Sequence, residues 1–372
     1  MKKIITIILS LAMLTAAVSC NKSSENEKTE VFNNFFEVPM EDEAIYLSDS
    51  GLAYIVDYET LETSLLCNIP NCTHMYSDCI VSALDTSGQL PIIYEDAAYY
   101  FVNSSSFKDE DGKRVLDLKT KLMKYDFEKA EISEFAGFED VLAGTNGGMY
   151  LIGSEMYFLT TYGNPKYDEV GNVESSSSGG NGSLFSINLD TAEYCDYGEV
   201  FDYEALKAEV PLAKNSTSMS ITGKIGNELY ISVAYLKNEN AAWSGFTYTF
   251  NLETKEYRKI NDYFSCWNHN GYRTYLNNGI LYISPEASEE YIAGPEVASF
   301  NTVRIHDDKV WCEESCYDIK SGMVKPLSEV CTLRNPVCVG VFEGDYIVKG
   351  TNDEEKKAFE KISAEELDKL FK

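Results

Sequence analysis

Positive charge is scarce in this 372-residue chain: 31 Lys and Arg stand against 60 Asp and Glu, a formal net charge of −29. Nucleic-acid binding rests on neutralising phosphates with Lys and Arg, so this polyanion excludes nucleic acid as a partner. An anionic membrane surface would repel the folded body for the same reason. Histidine is rarer still, with three copies at His74, His269 and His306. His-Glu-x-x-His, Gly-x-Ser-x-Gly, Gly-x-Gly-x-x-Gly and a Walker loop are all missing, so no familiar enzyme motif directs the reading toward catalysis. Long apolar runs are missing too. The extended apolar stretch Ile4–Val18 falls short of the ~20 residues a spanning helix needs.

What is present begins at the N-terminus. Met-Lys-Lys, the apolar Ile4–Val18 and the small residues before Cys20 predict a secretory signal over residues 1–19. The ending Ala-Ala-Val-Ser-Cys resembles the lipobox of bacterial lipoproteins. That resemblance implies cleavage before Cys20, which would then carry a diacylglyceryl anchor. Without Lys2 and Lys3 the mature chain carries −31. Residues 21–30 have no apolar side chain, and a flexible tether is expected over 20–32. The remainder, 33–372, reads as one domain on the extracytoplasmic face of the cell envelope, touching the membrane through its lipid alone.

That domain repeats. Short alternating strands are broken by Gly, Asn and Asp, and a tight turn followed two residues later by an aromatic recurs. It appears at Asp96–Tyr99, Ser154–Tyr157, Asn227–Tyr230, Gly279–Tyr282 and Asp308–Trp311, and in shortened form at Gly344–Tyr346. A second unit, a strand entering an Asx-Leu-acidic-Thr turn, repeats between Phe185–Tyr194 and Tyr248–Tyr257. The two units alternate, so each cycle is two hairpins. Four strands every ~40–50 residues predict a β-propeller. The fold class is therefore all-β, with seven four-stranded blades expected; uneven spacing leaves six or eight open. Closure is expected from a blade shared by Asn33–Met40 and Ala358–Ile362. Ser363-Ala-Glu-Glu366 has capping-box spacing and predicts a short C-terminal helix burying Leu367, Leu370 and Phe371.

Turns a–b and c–d leave a blade on one face, loops b–c and crossovers d–a on the other. The first set is tight. The second set is long, at Asn103–Thr120, Tyr162–Ser183, Leu236–Gly245 and Ser284–Ala298, with Ser175–Gly182 expected as a solvated spacer. Function sits more often on irregular loops held by a rigid scaffold, so the long-loop face is the expected binding face. Trp243, Trp267 and His269 are the expected contact residues for a protein, peptide or glycan ligand.

After Cys20 nine cysteines remain, and this topology places all but Cys195 on the long-loop face. Cys67-x4-Cys72-x-His74-x4-Cys79 offers thiolates and an imidazole, a set suited to structural Zn²⁺, although Cys-x-His is short for two ligands of one ion. No cofactor is required by the sequence. The alternatives are disulfides, with Cys312/Cys316 and Cys331/Cys338 able to staple single loops in an exported protein, or unpaired thiols. The run Leu66–Cys79 resembles a Cys-x-x-Pro-x-Cys-x-His…Cys segment of uncharacterised bacterial β-propeller lipoproteins. That resemblance implies a fold and a location and brings no activity. The leading expectation is a lipid-anchored binding or scaffold module. The alternatives are a propeller hydrolase or lyase acting on cell-surface glycan, and a subunit of an envelope complex with a Cys/His metal site.

Overall fold

The computed structural model describes residues 30–372 other than 34–36, 41, 48–51, 75–78, 82–89, 111–112, 144–147, 168–172, 211–216, 237–242, 262–266, 270–271, 278, 286–289, 298–302 and 313. The expected signal sequence, Cys20 and Cys266 lie outside the described residues. Seven antiparallel sheets succeed one another along the chain, the seven-bladed propeller expected. Blade one holds Glu37–Pro39, Glu43–Leu47, Ala53–Asp57 and Thr63–Leu65; blade two holds Ile92–Tyr94, Ala97–Glu110, Lys113–Asp126 and Glu131–Glu139. Blade three is built from Met149–Ile152, Glu155–Tyr167, Val173–Asn188 and Tyr194–Glu199; blade four from Thr217–Ile225, Glu228–Leu236, Trp243–Asn251 and Tyr257–Asn261. Blade five contains Trp267–His269, Tyr272–Asn277, Ile280–Pro285 and Ile292–Glu296, and blade six Arg304–His306, Lys309–Cys312, Ser315–Asp318 and Met323–Pro326. Blade seven has three strands, Arg334–Phe342, Asp345–Thr351 and Lys357–Ser363. Among the described residues no helix is long and apolar enough to cross a membrane.

The Asx-Leu-acidic-Thr repeat has a local physical cause. Asn188 Oδ1 accepts from the backbone N–H of Asp190 and Thr191 at 2.9 and 3.1 Å, and Asn251 Oδ1 accepts from Glu253 and Thr254, both at 2.9 Å. Asp57, Asp126 and Asp318 hold Thr60, Lys129 and Ser321 in the same way. Such Asx turns imitate a backbone turn with a side chain. Four residues after each Asx the chain turns left-handed, at Leu61, Ala130, Ala192, Lys255 and Gly322, and the outer strand begins. These turns share a face with the a–b turns, because one bonds the other within a blade: Phe127 N–H to Asp96 O, Leu189 to Ser154, Leu252 to Asn227 and Ile319 to Asp308.

Two of the four expected long loops are strands. Ala97–Glu110 and Lys113–Asp126 stay paired up to Glu110 opposite Lys113, so 103–120 is a two-stranded arm. Glu155–Tyr167 and Val173–Asn188 pair up to Tyr167 opposite Val173. The expected Ser/Gly spacer is thus ladder, with Ser175–Ser178 opposite Gly163–Lys166 and Gly182 opposite Thr161. In the first arm Ser104–Phe107 are exposed, and a solvated strand carries no apolar alternation to betray it. Gly182 has a packing reason as well: a Cβ there would meet Met219 Cε at 1.6 Å.

Strands added on the inside explain part of the uneven spacing. Glu30–Asn33, partly within the expected tether, pairs with Met149–Ile152 on the inner edge of blade three. Val31 and Phe32 end the polar run, which is where strand pairing takes over. In blade five Trp267–His269 is the inner strand, so the aromatic strand Ile280–Pro285 stands third.

Closure also differs from expectation. Glu37–Pro39 belongs to blade one and Lys357–Ser363 to blade seven, and no sheet joins them. Side chains close the ring instead. Ala44, Tyr46, Val56 and Tyr58 pack with Val339 and Ile347, and the Phe359 ring meets Tyr46 edge-on at 5.1 Å. The Tyr58 hydroxyl donates to Val339 O at 2.9 Å, a carbonyl lying where the ladder of blade seven slips between Cys338 and Gly340. Lys357 and Lys361 donate to Leu47 O and Glu59 O, each at 3.1 Å. The expected C-terminal helix is Ala364–Lys369: Ser363 Oγ accepts from Glu366 N–H at 3.2 Å and donates to its carboxylate at 2.9 Å. Leu367 is fully buried, and Leu370 and Phe371 pack against the same cluster.

Candidate metal centre

The crossover leaving blade one builds the site. Leu66 N–H reaches Ala53 O at 3.0 Å, fixing where the chain departs. Asn68 donates its backbone N–H to Tyr125 Oη and its side-chain amide to Phe127 O, both at 2.9 Å, tying the segment to blade two. The Asn68 side-chain oxygen accepts from the Tyr125 hydroxyl in turn. Between these anchors the chain doubles back: Cys72 N–H bonds Ile69 O at 3.2 Å, and Asn71 and His74 take φ values of +59° and +54°. Reversals of this kind overcome the short Cys-x-His spacing. One ligand atom from each of Cys67, Cys72, His74 and Cys79 lies within 4.8 Å of all the others, and His74 Nδ1 is 3.4 Å from Cys79 Sγ.

Burial is graded across the four. Cys67 and Cys79 are buried, Cys72 and His74 half-buried. Burial pushes the Cys67 thiol up to about 12, and the neighbouring Cys79 and Cys72 add to this; a hydrogen bond from Ile69 N–H acts the other way. A neutral thiol at Cys67 is thus favoured unless a cation compensates the charge. Tyr100, 1% exposed, shares the core cluster of Cys67 and Cys79 in the seam between blades one and two, and its hydroxyl has no hydrogen-bond partner among the described residues. The site sits in a seam and not on the long-loop face, because Asn68 reaches Phe127 in a tight turn of blade two.

The other cysteines follow strand alternation. Among the described residues every cysteine is a free thiol. Cys312 and Cys316 do not form the expected staple: Cys312 is paired with Ser315 and Cys316 with Trp311, so they face opposite sides of blade six and enter different core clusters. Cys331 and Cys338 are also unlinked, with Cys338 inside the innermost strand of blade seven. Cys338 Sγ lies 3.3 Å from Gly340 O, and Cys331 Sγ 3.7 Å from a Glu360 carboxylate oxygen. Burial pushes Cys316 up strongly and Cys331 to about 11, so these thiols are inert core residues. Cys195 is exposed.

Trp267 and His269 stand on the inner strand of blade five and not in a crossover, and Trp243 opens the third strand of blade four opposite Leu236. They are separate from the Cys/His cluster in sequence and in blade. An open cleft of about 530 Å³ is lined by Tyr272, His306, Asp307, Asp308 and Val341. One of its two acids is already engaged: Asp308 accepts from Tyr272 and pairs with Lys320. Lys320 first and Tyr272 second hold the Asp308 carboxyl below its usual range. The sequence carried no signal for this cleft or for Tyr100, since each joins residues from different blades.

No protein-family model matches the chain, and no curated protein matches it. Among solved structures it is similar to oligogalacturonate lyase in complex with manganese, at 13% identity over 87% of this chain and 74% of that one, with a TM-score of 0.29. It is similar to Porphyromonas gingivalis dipeptidyl peptidase 4 at 9% identity, covering 87% of this chain and 57% of the peptidase, TM-score 0.39. Saccharomyces cerevisiae Sqt1 matches at 9% identity over 90% of this chain and 97% of its own, TM-score 0.39. Likenesses this remote bear on neither activity nor ligand.

Proposed function

We propose that the chain is an exported, lipid-anchored propeller acting as a binding or scaffold module, with a structural zinc ion in its first blade seam. The observation that carries the metal is the convergence of Cys67, Cys72, His74 and Cys79 to within 4.8 Å. Three sulfurs and one imidazole nitrogen are a soft donor set, and the residues present fit Zn²⁺. When bound, the ion supplies positive charge that lets three clustered thiols ionise. With four protein ligands no position stays open for substrate, which makes the centre structural and not catalytic.

The anchor reading rests on Ile4–Val18 and Cys20 in the sequence. The binding reading is supported by the two arms, Ala97–Asp126 and Glu155–Asn188, raised on neighbouring blades. Trp243, Trp267 and His269 are the contact residues proposed for a protein, peptide or glycan. Metal analysis of the mature protein tests the centre: one zinc per chain, lost in Cys72→Ser, is the expected result. Protein purified without chelator that holds no metal refutes it. Release of Cys20→Ser from the membrane fraction tests the anchor separately.

A further inference from the structure

Tyr100 stands on the second strand of blade two, next to Tyr99, and alternation sends the two rings into different seams. Tyr99 packs with blade three, while Tyr100 packs with Cys67 and Cys79. Its hydroxyl is sealed from water and has no hydrogen-bond partner among the described residues, an arrangement that costs stability. A phenol O–H is a hydrogen-bond donor. A neutral thiol is a poor acceptor for that proton. A metal-bound thiolate is a strong one, because hydrogen bonds to charged acceptors are shorter and stronger.

We infer that the Tyr100 hydroxyl is an outer donor of the metal centre, hydrogen-bonding a thiolate of the buried Cys67/Cys79 pair once the ion is bound. The inference rests on reading the Cys/His cluster as a metal centre, and it adds a residue that the ligand spacing does not contain. Loading moves three protons, one from each thiol, to solvent, and neutral His74 keeps its remaining ring proton. Zn²⁺ with three thiolates then carries one net negative charge in an apolar seam, and the Tyr100 dipole points its positive end at it. Outer-shell donors of this kind orient ligands and typically account for 10–100-fold in metal affinity. The donor belongs to blade two and the ligands to the crossover leaving blade one. Ion binding therefore fastens one blade to the next through the metal and this hydroxyl together.

The test compares metal-stripped wild type with Tyr100→Phe, each titrated with Co²⁺ and each melted with and without the ion. The thiolate-to-cobalt charge-transfer band reads electron density at sulfur. Tyr100→Phe is expected to bind Co²⁺ roughly tenfold more weakly, with the band moved to lower energy. Metal-free Tyr100→Phe is expected to melt higher than metal-free wild type, because an unpaired buried hydroxyl is gone. That opposite sign in the empty and loaded states is something a plain packing role does not produce. Equal affinity with an unmoved band overturns the inference and leaves the metal reading standing. A metal-free variant that melts lower also overturns it, since the hydroxyl then had another partner. A wild type that takes up no cobalt overturns both.

Discussion

The ring is closed by side chains, and Tyr58→Phe tests how much one of them holds. The change removes a hydroxyl that donates at 2.9 Å to Val339 O across 281 positions of sequence. The ladder of blade seven steps from Cys338 opposite Val348 to Gly340 opposite Ile347, leaving Val339 at the slip. Its carbonyl loses its side-chain donor in the variant. Leaving a buried acceptor unpaired costs ~1–3 kcal/mol. Unfolding entropy of ~2.1 cal/mol/K per residue over ~340 residues is ~0.7 kcal/mol/K, so a ~2 kcal/mol loss lowers Tm by ~3 °C. Gly340 supplies the second arm of a cycle. A Cβ there would stand 2.2 Å from Tyr58 Oη and 2.6 Å from Cζ, so Gly340→Ala must displace the ring, at a cost of ~1–3 kcal/mol. In the Tyr58→Phe background the closest clash is gone and the hydrogen bond is already lost. The double variant should therefore be less damaged than the two singles combined, by ~1 kcal/mol. Urea unfolding followed by circular dichroism, with fluorescence reporting on the buried Trp311 packed between blades six and seven, measures all four corners. Strict additivity, or a Tyr58→Phe protein as stable as wild type, would refute the account of closure.

Two further outcomes follow from charge and thiol placement. Lys309 is buried and pairs with Asp318 at 2.8 Å and with Asp368 of the C-terminal helix at 3.0 Å; Lys309→Met strands the buried Asp318 and should cost ~3–5 kcal/mol in chemical denaturation. Burial raises the Asp318 carboxyl, but Lys309 and Ser321 outweigh it and hold it low; burial lowers Lys309, but Asp318 and Asp368 outweigh it and hold it high. Asp318 thus contributes stability above the unfolded carboxylate value of ~3.9, lost as pH falls through its lower folded value; Lys309 contributes below ~10.4, lost as pH rises through its higher folded value. The stability gap between wild type and Lys309→Met should be widest between those limits, and a gap that stays constant with pH would refute the pairing. Thiol titration of the native, metal-loaded protein should label Cys195 among the described cysteines, and chelation should add the half-buried Cys72, with Cys67 and Cys79 still shielded by burial. Labelling of Cys316 or Cys338 before unfolding would contradict their burial.

Blade number and the inner turns were legible because their causes are local. An Asx side chain accepting from the next N–H groups works identically at Asn188 and Asn251, so the residues repeat with the structure. The arms were hidden for the opposite reason: Ser104–Phe107 stand exposed on their strand, and solvated strands need no apolar alternation. The Cys/His set was legible as spacing, and the left-handed His74 that brings it together was not. Sorting cysteines by face failed where a crossover runs through a seam, as at Asn68, and where strand alternation decides, as at Cys312 and Cys316. Closure depended on Tyr58 meeting Val339, a pairing with no local trace.

The strand Glu30–Asn33 has a direction as well as a place. Glu30 is opposite Ile152, beside the turn at Gly153, and Asn33 is opposite Met149 at the far end. The chain therefore enters the central channel from the side of the tight turns and runs toward the side of the arms. Nine residues separate Cys20 from Glu30, a span of at most ~35 Å when fully extended. With Cys20 acylated as proposed above, the bilayer would lie within that reach of the tight-turn side, which is the side opposite the arms.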